Sequence, residues 1–432
     1  MKREVSIFWF RRDLRIKDNM ALYWSLKNNK NVLPIFIFDD SILKKIHKDD
    51  QRIKFIHDSL SNLRDELISY GSDIHTFHEK PLNVWKHLVI KYNIQAVYSN
   101  EDYEPYSIKR DNLIEQFLIK KGIKFYQYKD HCIFAKNDIL KNDGKPYIVY
   151  TAYKNKWLQS LTPNDISSIS SHKYVKNFIQ DYNGHLIELE DLGFNSPQTV
   201  NFPPRRIKKS IIKKYHLNRD IPCLDATSHL GLHIRFGTVS IRKLVQVAYE
   251  NNEVWLSELI WREFFIQILY HFPNVTKESF REKYRNIKWR NSKKEFKKWC
   301  NGQTGFPLVD AGMRELNETG HMHNRVRMVV ASFLVKDLLI DWRWGEEYFA
   351  QKLLDFELAS NNGNWQWAAG TGCDASPYFR IFNPTTQLKK FDPELTYVRK
   401  WVPEYGTQDY YDEMVDHNSA YHRAIATYKA SL

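Results

Sequence analysis

Cysteine is scarce in this 432-residue sequence. The four present, Cys132, Cys223, Cys300 and Cys373, lie far apart and never as a CxxC pair, which argues against a disulfide framework and a structural zinc site. Reduced, structural thiols are the plainer reading. No apolar run approaches the roughly 18 residues needed to cross a bilayer, so no membrane span is expected. The opening run Val5–Phe10 is too short for a signal-peptide core and meets Arg11 and Arg12 at once, so a cytoplasmic location is expected. Glycine is missing until Gly71, so a GxGxxG loop cannot follow the first strand and the main cofactor is expected elsewhere. No internal repeat or low-complexity tract stands out. His321 and His323 form an HxH without carboxylates or cysteines at ligand spacing, so no metal site is expected.

What is abundant is positive charge and tryptophan. The 64 Lys and Arg against 51 Asp and Glu leave a net charge of +13, which suits a polyanionic partner. Nine Lys/Arg fall between Arg281 and Trp299, against the two acids Glu282 and Glu295. A solvated basic face would explain that stretch equally well. Thirteen tryptophans, nine of them from Trp255 onward, exceed what core filling usually requires, and indoles stack well on flat ligands and bases.

The first 130 residues read as alternating strand and helix. Strands are expected at Val5–Phe10, Val32–Phe38, Asp73–Phe77, Ala96–Ser99 and Lys124–Tyr128, and helices at Asn19–Asn28, Arg52–Tyr70, Leu82–Tyr92 and Ser107–Lys121. That alternation implies a Rossmann-like α/β domain with a parallel sheet over residues 1–130. Residues 131–200 carry Asp, Asn, Ser, Gly and Pro clusters, such as Asn142-Asp143-Gly144-Lys145-Pro146 and Ser196-Pro197-Gln198, and read as a connection. Residues 201–432 read as an all-α domain, with helices over Val254–Tyr270, Leu308–Thr319 and His323–Asp341.

Three stretches could carry chemistry. Glu258, Trp261, Arg262 and Phe265 share one helix face, as either a surface Glu258–Arg262 pair beside core aromatics or the wall of a cavity. Asn324, Arg327 and Met328 share a face of the next helix, with Arg325 turned toward solvent. The third runs from Asn361 to Pro384. Its Gly370-Thr371-Gly372-Cys373-Asp374-Ala375 is a formal GxGxxA without a preceding strand, and reads as a turn. Trp365 and Trp367, one residue apart, point to different sides of a helix, so one of them is expected to face a ligand.

These residues together resemble the DNA photolyase and cryptochrome flavoprotein family, along essentially the whole chain. The likeness runs from FWFRRDLRIKDNMAL through TSHLGLHIRFGTVS and WLSELIWREFF to WQWAAGTGCDASPYFRIFNP and KKFDPELTYVRKWVPE. Within the family the chain is most similar to class I enzymes that split cyclobutane pyrimidine dimers. The resemblance implies an N-terminal α/β antenna domain and a C-terminal helical domain holding FAD. It implies that Tyr215, Thr227, Ser228, Leu230 and Gly231 hold the phosphates and adenosine, Gly231 standing where serine is common. Trp255, Arg262, Asn324, Arg327, Asp355, Glu357 and Asn361 match positions around the flavin and its ribityl chain. Glu357 replaces a frequent aspartate, and the amide of Asn361, typical of repair enzymes, faces the central ring nitrogen.

For the substrate, Glu258, Trp261, Met328 and Trp367 match the dimer pocket, with Glu258 expected on a pyrimidine carbonyl. Met328 stands where related (6-4) enzymes carry a histidine. Arg219, Arg325, Arg380 and Gln387 match contacts to the DNA backbone, and Trp365, Trp342 and Trp289 the electron-hopping chain. The implied activity is light-driven dimer repair in UV-damaged DNA by a monomer without an obligate protein partner. The alternative is a blue-light photoreceptor, which the absence of a long tail after WVPE disfavours. A second, antenna chromophore (deazaflavin, FMN or folate) is left open by the segment Asn100–Tyr106.

Overall fold

The computed structural model describes residues 2–195 and 201–432. The cluster Ser196-Pro197-Gln198, read as part of the connection, lies outside the described residues.

The five apolar runs form one parallel sheet of β1 (Glu4–Phe10), β2 (Val32–Asp39), β3 (His75–Glu79), β4 (Asn93–Asn100) and β5 (Lys124–Tyr128), in the order β3-β2-β1-β4-β5. β2 is buried along its whole length and β1 everywhere but its first residue, as a sheet covered on both faces requires. Two local effects move the boundaries. β3 starts two residues late because the Asp73 carboxylate accepts from the Ile74 and Gly184 amides and from Arg64, which takes that stretch out of the ladder. The helices Pro81–Lys91 and Pro105–Ile119 begin early because proline is favourable in a first helical turn, where its missing N–H costs nothing. The chain order reverses between β1 and β4, so a crevice opens beyond their carboxyl ends, lined by Arg11, Arg12, Asp13 and Asn100–Asp102.

By packing, the chain divides into two units. The α/β unit takes residues up to Asp138, the described part of Leu158–Ile207, and His229–Glu250; the other takes Ile139–Trp157, Lys208–Ser228 and Asn251–Leu432. The stretch read as a connection is therefore shared between cores. Phe178 and His185 bridge to β2 and β3. The buried Trp157 indole instead donates to Glu263, at 2.7 Å. His229–Glu250, read as part of the helical domain, is tied to the α/β unit by Arg242, which pairs with Asp18 at 2.9 Å and Asp130 at 2.7 Å.

Every regular element described in the second unit is helical. Asn252 caps the helix Glu253–His271 by accepting from the Trp255 amide, and Gly320, with φ +67°, ends Pro307–Thr319. The expected helix His323–Asp341 is broken. Asn324–Ser332 is α-helical, Phe333–Asp337 widens into a π turn with the Leu338 amide bonded to the Phe333 carbonyl, and Asp341 caps the next helix, Trp342–Lys352. No described helix is long and apolar enough to cross a membrane.

Candidate active site in the helical unit

Three segments wall a cleft that opens to solvent. The helix Asn324–Ser332 contributes Asn324, Arg327 and Met328, three residues that a helical turn places on one face. The end of Trp342–Lys352 and the loop after it contribute Phe349, Asp355, Phe356 and Glu357. The helix Leu358–Ala369 adds Asn361, Trp365 and Trp367. Gly370, at φ +79°, caps that helix, so the GxGxxA glycines serve a turn.

The cleft's charges come in pairs. Arg327 donates to the Met322 carbonyl at 2.7 Å and pairs with Asp355 at 3.0 Å. Burial alone would raise the Asp355 pKa, but the adjacent guanidinium outweighs it and holds the carboxyl below its ordinary range. Arg262 makes a two-pronged contact with Glu357, at 2.9 and 2.8 Å, both side chains being buried. Of the two readings of that helix face, the surface Glu258–Arg262 pair does not form: Arg262 turns to Glu357, and Glu258 takes Arg219 at 2.5 Å. The Asn361 amide nitrogen donates to the Glu346 carbonyl at 2.9 Å, which fixes the amide and leaves its oxygen for the cleft. Burial pushes the Glu346 carboxyl up to about 7.

Trp365 is 2% exposed and Trp367 half-buried, so both line the cleft but only Trp367 offers open surface. A Cβ at Gly345 would stand 2.1 Å from the Trp365 ring, so the indole lies against the Trp342–Lys352 helix one turn from the buried Trp342. Trp365 makes ring contacts with Phe349 at 5.0 Å and Trp299 at 6.2 Å, and the half-buried Trp289 touches Tyr428 at 6.0 Å. Among the described residues no direct ring contact joins Trp365 to Trp342, or Trp342 to Trp289.

The remaining expected residues fall into separate groups. Arg219 lies over the Tyr215 ring at 5.2 Å as well as beside Glu258. Trp261, half-buried, is stacked face to face by Tyr150. Arg325, expected to face solvent, pairs with Asp220 at 2.7 Å and lies over Phe391 at 4.4 Å. Arg380 is exposed, and Gln387 keeps a buried amide oxygen without a partner. Trp255 is buried in its helix. Thr227 and Ser228 belong to the helical unit, whereas Leu230 and Gly231 belong to the α/β unit and open the short helix Gly231–Arg235. Sequence reading missed Tyr150, Glu346 and Trp299. The tryptophan count bears on Trp299 alone, and the aromatics Tyr147, Tyr150 and Tyr153 are the signal that could have found Tyr150; none marks Glu346.

Comparison with known proteins gives a consistent result. Residues 6–170 match the family model described as DNA photolyase, and 255–408 match the FAD binding domain of DNA photolyase. A deoxyribodipyrimidine photo-lyase of Vibrio cholerae is 37% identical over 427 residues, covering 93% of this chain and 90% of its own. One of Escherichia coli is 33% identical, covering 98% of both. The class III photolyase of Agrobacterium tumefaciens superposes with a TM-score of 0.87 at 30% identity, over 100% of this chain and 98% of its own. An archaeal photolyase of Sulfolobus tokodaii, which holds two FAD molecules, gives 0.85 at 32%, over 99% of this chain and 100% of its own.

Proposed function

This chain belongs to the DNA photolyase family, and we propose that it is an FAD-dependent lyase that uses light to split cyclobutane pyrimidine dimers in DNA. The observation that carries this reading is a single cleft in which Asn361, Arg327 and Asp355, matched to the flavin, meet Met328 and Trp367, matched to the dimer. The cleft's chemistry fits a flavin: its walls include flat aromatic rings, and its charges are already neutralised in pairs.

Asn324, Arg327, Asp355, Asn361 and the Arg262–Glu357 pair would hold the flavin and ribityl chain, with Trp255 behind them. Tyr215, Thr227, Ser228, Leu230 and Gly231 complete the proposed set from sequence. When bound and reduced, FAD would supply light-driven electron donation to the dimer with return of the electron, chemistry of no net redox change. The protein's own part is to orient and to exclude water. The Asn361 amide, fixed by the Glu346 carbonyl, presents an acceptor without adding an acidic proton.

Paired with Arg219, Glu258 is a carboxylate and can only accept hydrogen bonds, so the pyrimidine group it suits is a ring N–H. The carbonyl contact expected from sequence would need a protonated acid. Trp261 and Trp367 would pack against the extruded dimer. Arg219, Arg325, Arg380 and Gln387 would meet the flanking backbone, and Trp365, Trp342 and Trp289 would pass electrons to the flavin from the surface. The protein would act as a cytoplasmic monomer, and the crevice between β1 and β4 is where a second chromophore would be sought.

The test is illumination of the reduced, FAD-loaded protein with an oligonucleotide carrying one thymine dimer. Light-dependent loss of the dimer is expected. An intact dimer with FAD bound would leave a photoreceptor as the better reading.

A further inference from the structure

Tyr150 opens the helix Tyr150–Ser160, in a segment that sequence reading assigned to a connection. Its ring lies against the Trp261 indole with centroids 3.6 Å apart and planes 7° from parallel. Packing alone does not select that geometry, because the ring quadrupoles favour offset or edge-to-face pairs over a sandwich. Two tethers impose it. The phenol donates to the Ser257 carbonyl at 2.7 Å, one turn before Trp261 on the same helix, and the Tyr150 amide donates to Asp374 at 2.9 Å. Phe264 meets Trp261 edge-on at 5.6 Å, and Phe265 lies tilted 30° from it at 5.4 Å. Tyr150 is 8% exposed, whereas Trp261 keeps open surface.

We propose that Tyr150 is a positioning residue for lesion binding: it backs the Trp261 indole, fixes its plane and leaves one face for an extruded pyrimidine dimer. The proposal rests on the reading that Trp261 meets the dimer. A lone indole on a helix would have to be ordered when the dimer arrives; here that rotamer freedom is given up on folding, so less is lost on binding.

The test is a dark titration of the FAD-loaded protein with a dimer-containing single-stranded oligonucleotide and its undamaged counterpart, with FAD content and melting temperature measured alongside. Tyr150→Leu should weaken dimer binding roughly five- to tenfold, in the upper part of the range of an aromatic pair, and leave undamaged DNA unaffected. Tyr150→Phe, which keeps the ring and loses the bond to Ser257, should stay within about threefold, and Tyr150→His should fall between, which preserves the test if the leucine variant does not fold. Combined with Trp261→Ala, Tyr150→Leu should add less than about twofold, because the indole it acts through is gone.

Wild-type dimer affinity in the leucine and histidine variants, or penalties that simply multiply in the double variant, would overturn the proposal. Trp261→Ala binding the dimer like wild type would instead sink the lesion-pocket reading, and the proposal with it.

Discussion

In the α/β unit the buried arginines Arg15 and Arg242 face Asp130 and Asp18, with contacts of 2.6–2.9 Å. In the helical unit Arg262 and Arg327 make similarly short contacts with Glu357 and Asp355, but Arg327, Asp355 and Glu357 stand on the walls of an open cleft. The same chemistry thus does two things. Where the ion pairs are shut into a core, they fix the fold. Where they border empty space, they neutralise a pocket and leave donors and acceptors aimed at a ligand.

The largest expected effect would break this comparison if it failed. Arg242→Ala and Arg262→Ala each strand buried carboxylates and should each cost about 3–5 kcal/mol in thermal or denaturant unfolding. Only Arg262→Ala should also lower the FAD content of purified protein. Equal loss of FAD in both would mean that the α/β network is not purely structural.

Next in size is the split between neighbouring indoles. Trp365→Phe should abolish light-driven reduction of oxidised FAD and leave repair by chemically pre-reduced protein intact, since Trp365 is buried against the Trp342–Lys352 helix. Loss of both activities with FAD bound and an unchanged melting temperature would contradict its place in an electron path.

Glu346 gives a smaller, pH-dependent effect. Its folded carboxyl titrates near 7 against an ordinary 4.5, so the stability it contributes is full below 4.5 and is lost as pH rises through 7. Glu346→Gln should therefore gain in melting temperature relative to wild type between pH 5 and pH 8, and a constant difference would show that the carboxyl is not protonated in the folded state. Smallest of all, Arg380→Ala should reduce the slope of log affinity against log salt by about 0.9 on duplex DNA, as one phosphate contact requires. An unchanged slope would remove the loop from the DNA face.

Local periodicity carried much of this. Asn324, Arg327 and Met328 were legible as one wall because three- and four-residue spacing fixes a helix face whatever surrounds it. The five strands were legible as buried apolar runs, and the fold followed from their alternation with helices. Pairing across the chain was not. Spacing offers Arg262 the near partner Glu258, while folding gives it Glu357, 95 residues away. Tyr150 was hidden for the same reason: Tyr150, Tyr153 and Trp157 recur at helical spacing, but the stack on Trp261 is a contact with a helix far along the chain, which no local period announces. The break at Phe333–Asp337 came from an inserted π turn, which leaves the apolar spacing almost untouched.

The most direct measurement is light-dependent dimer repair by Trp367→Ala beside wild type, both FAD-loaded and fully reduced. One cleft serving flavin and dimer predicts that the variant keeps its FAD and photoreduction while dimer affinity falls by about 1–3 kcal/mol, the worth of one base–aromatic stack. Unchanged dimer affinity and repair would show that the dimer does not enter this cleft.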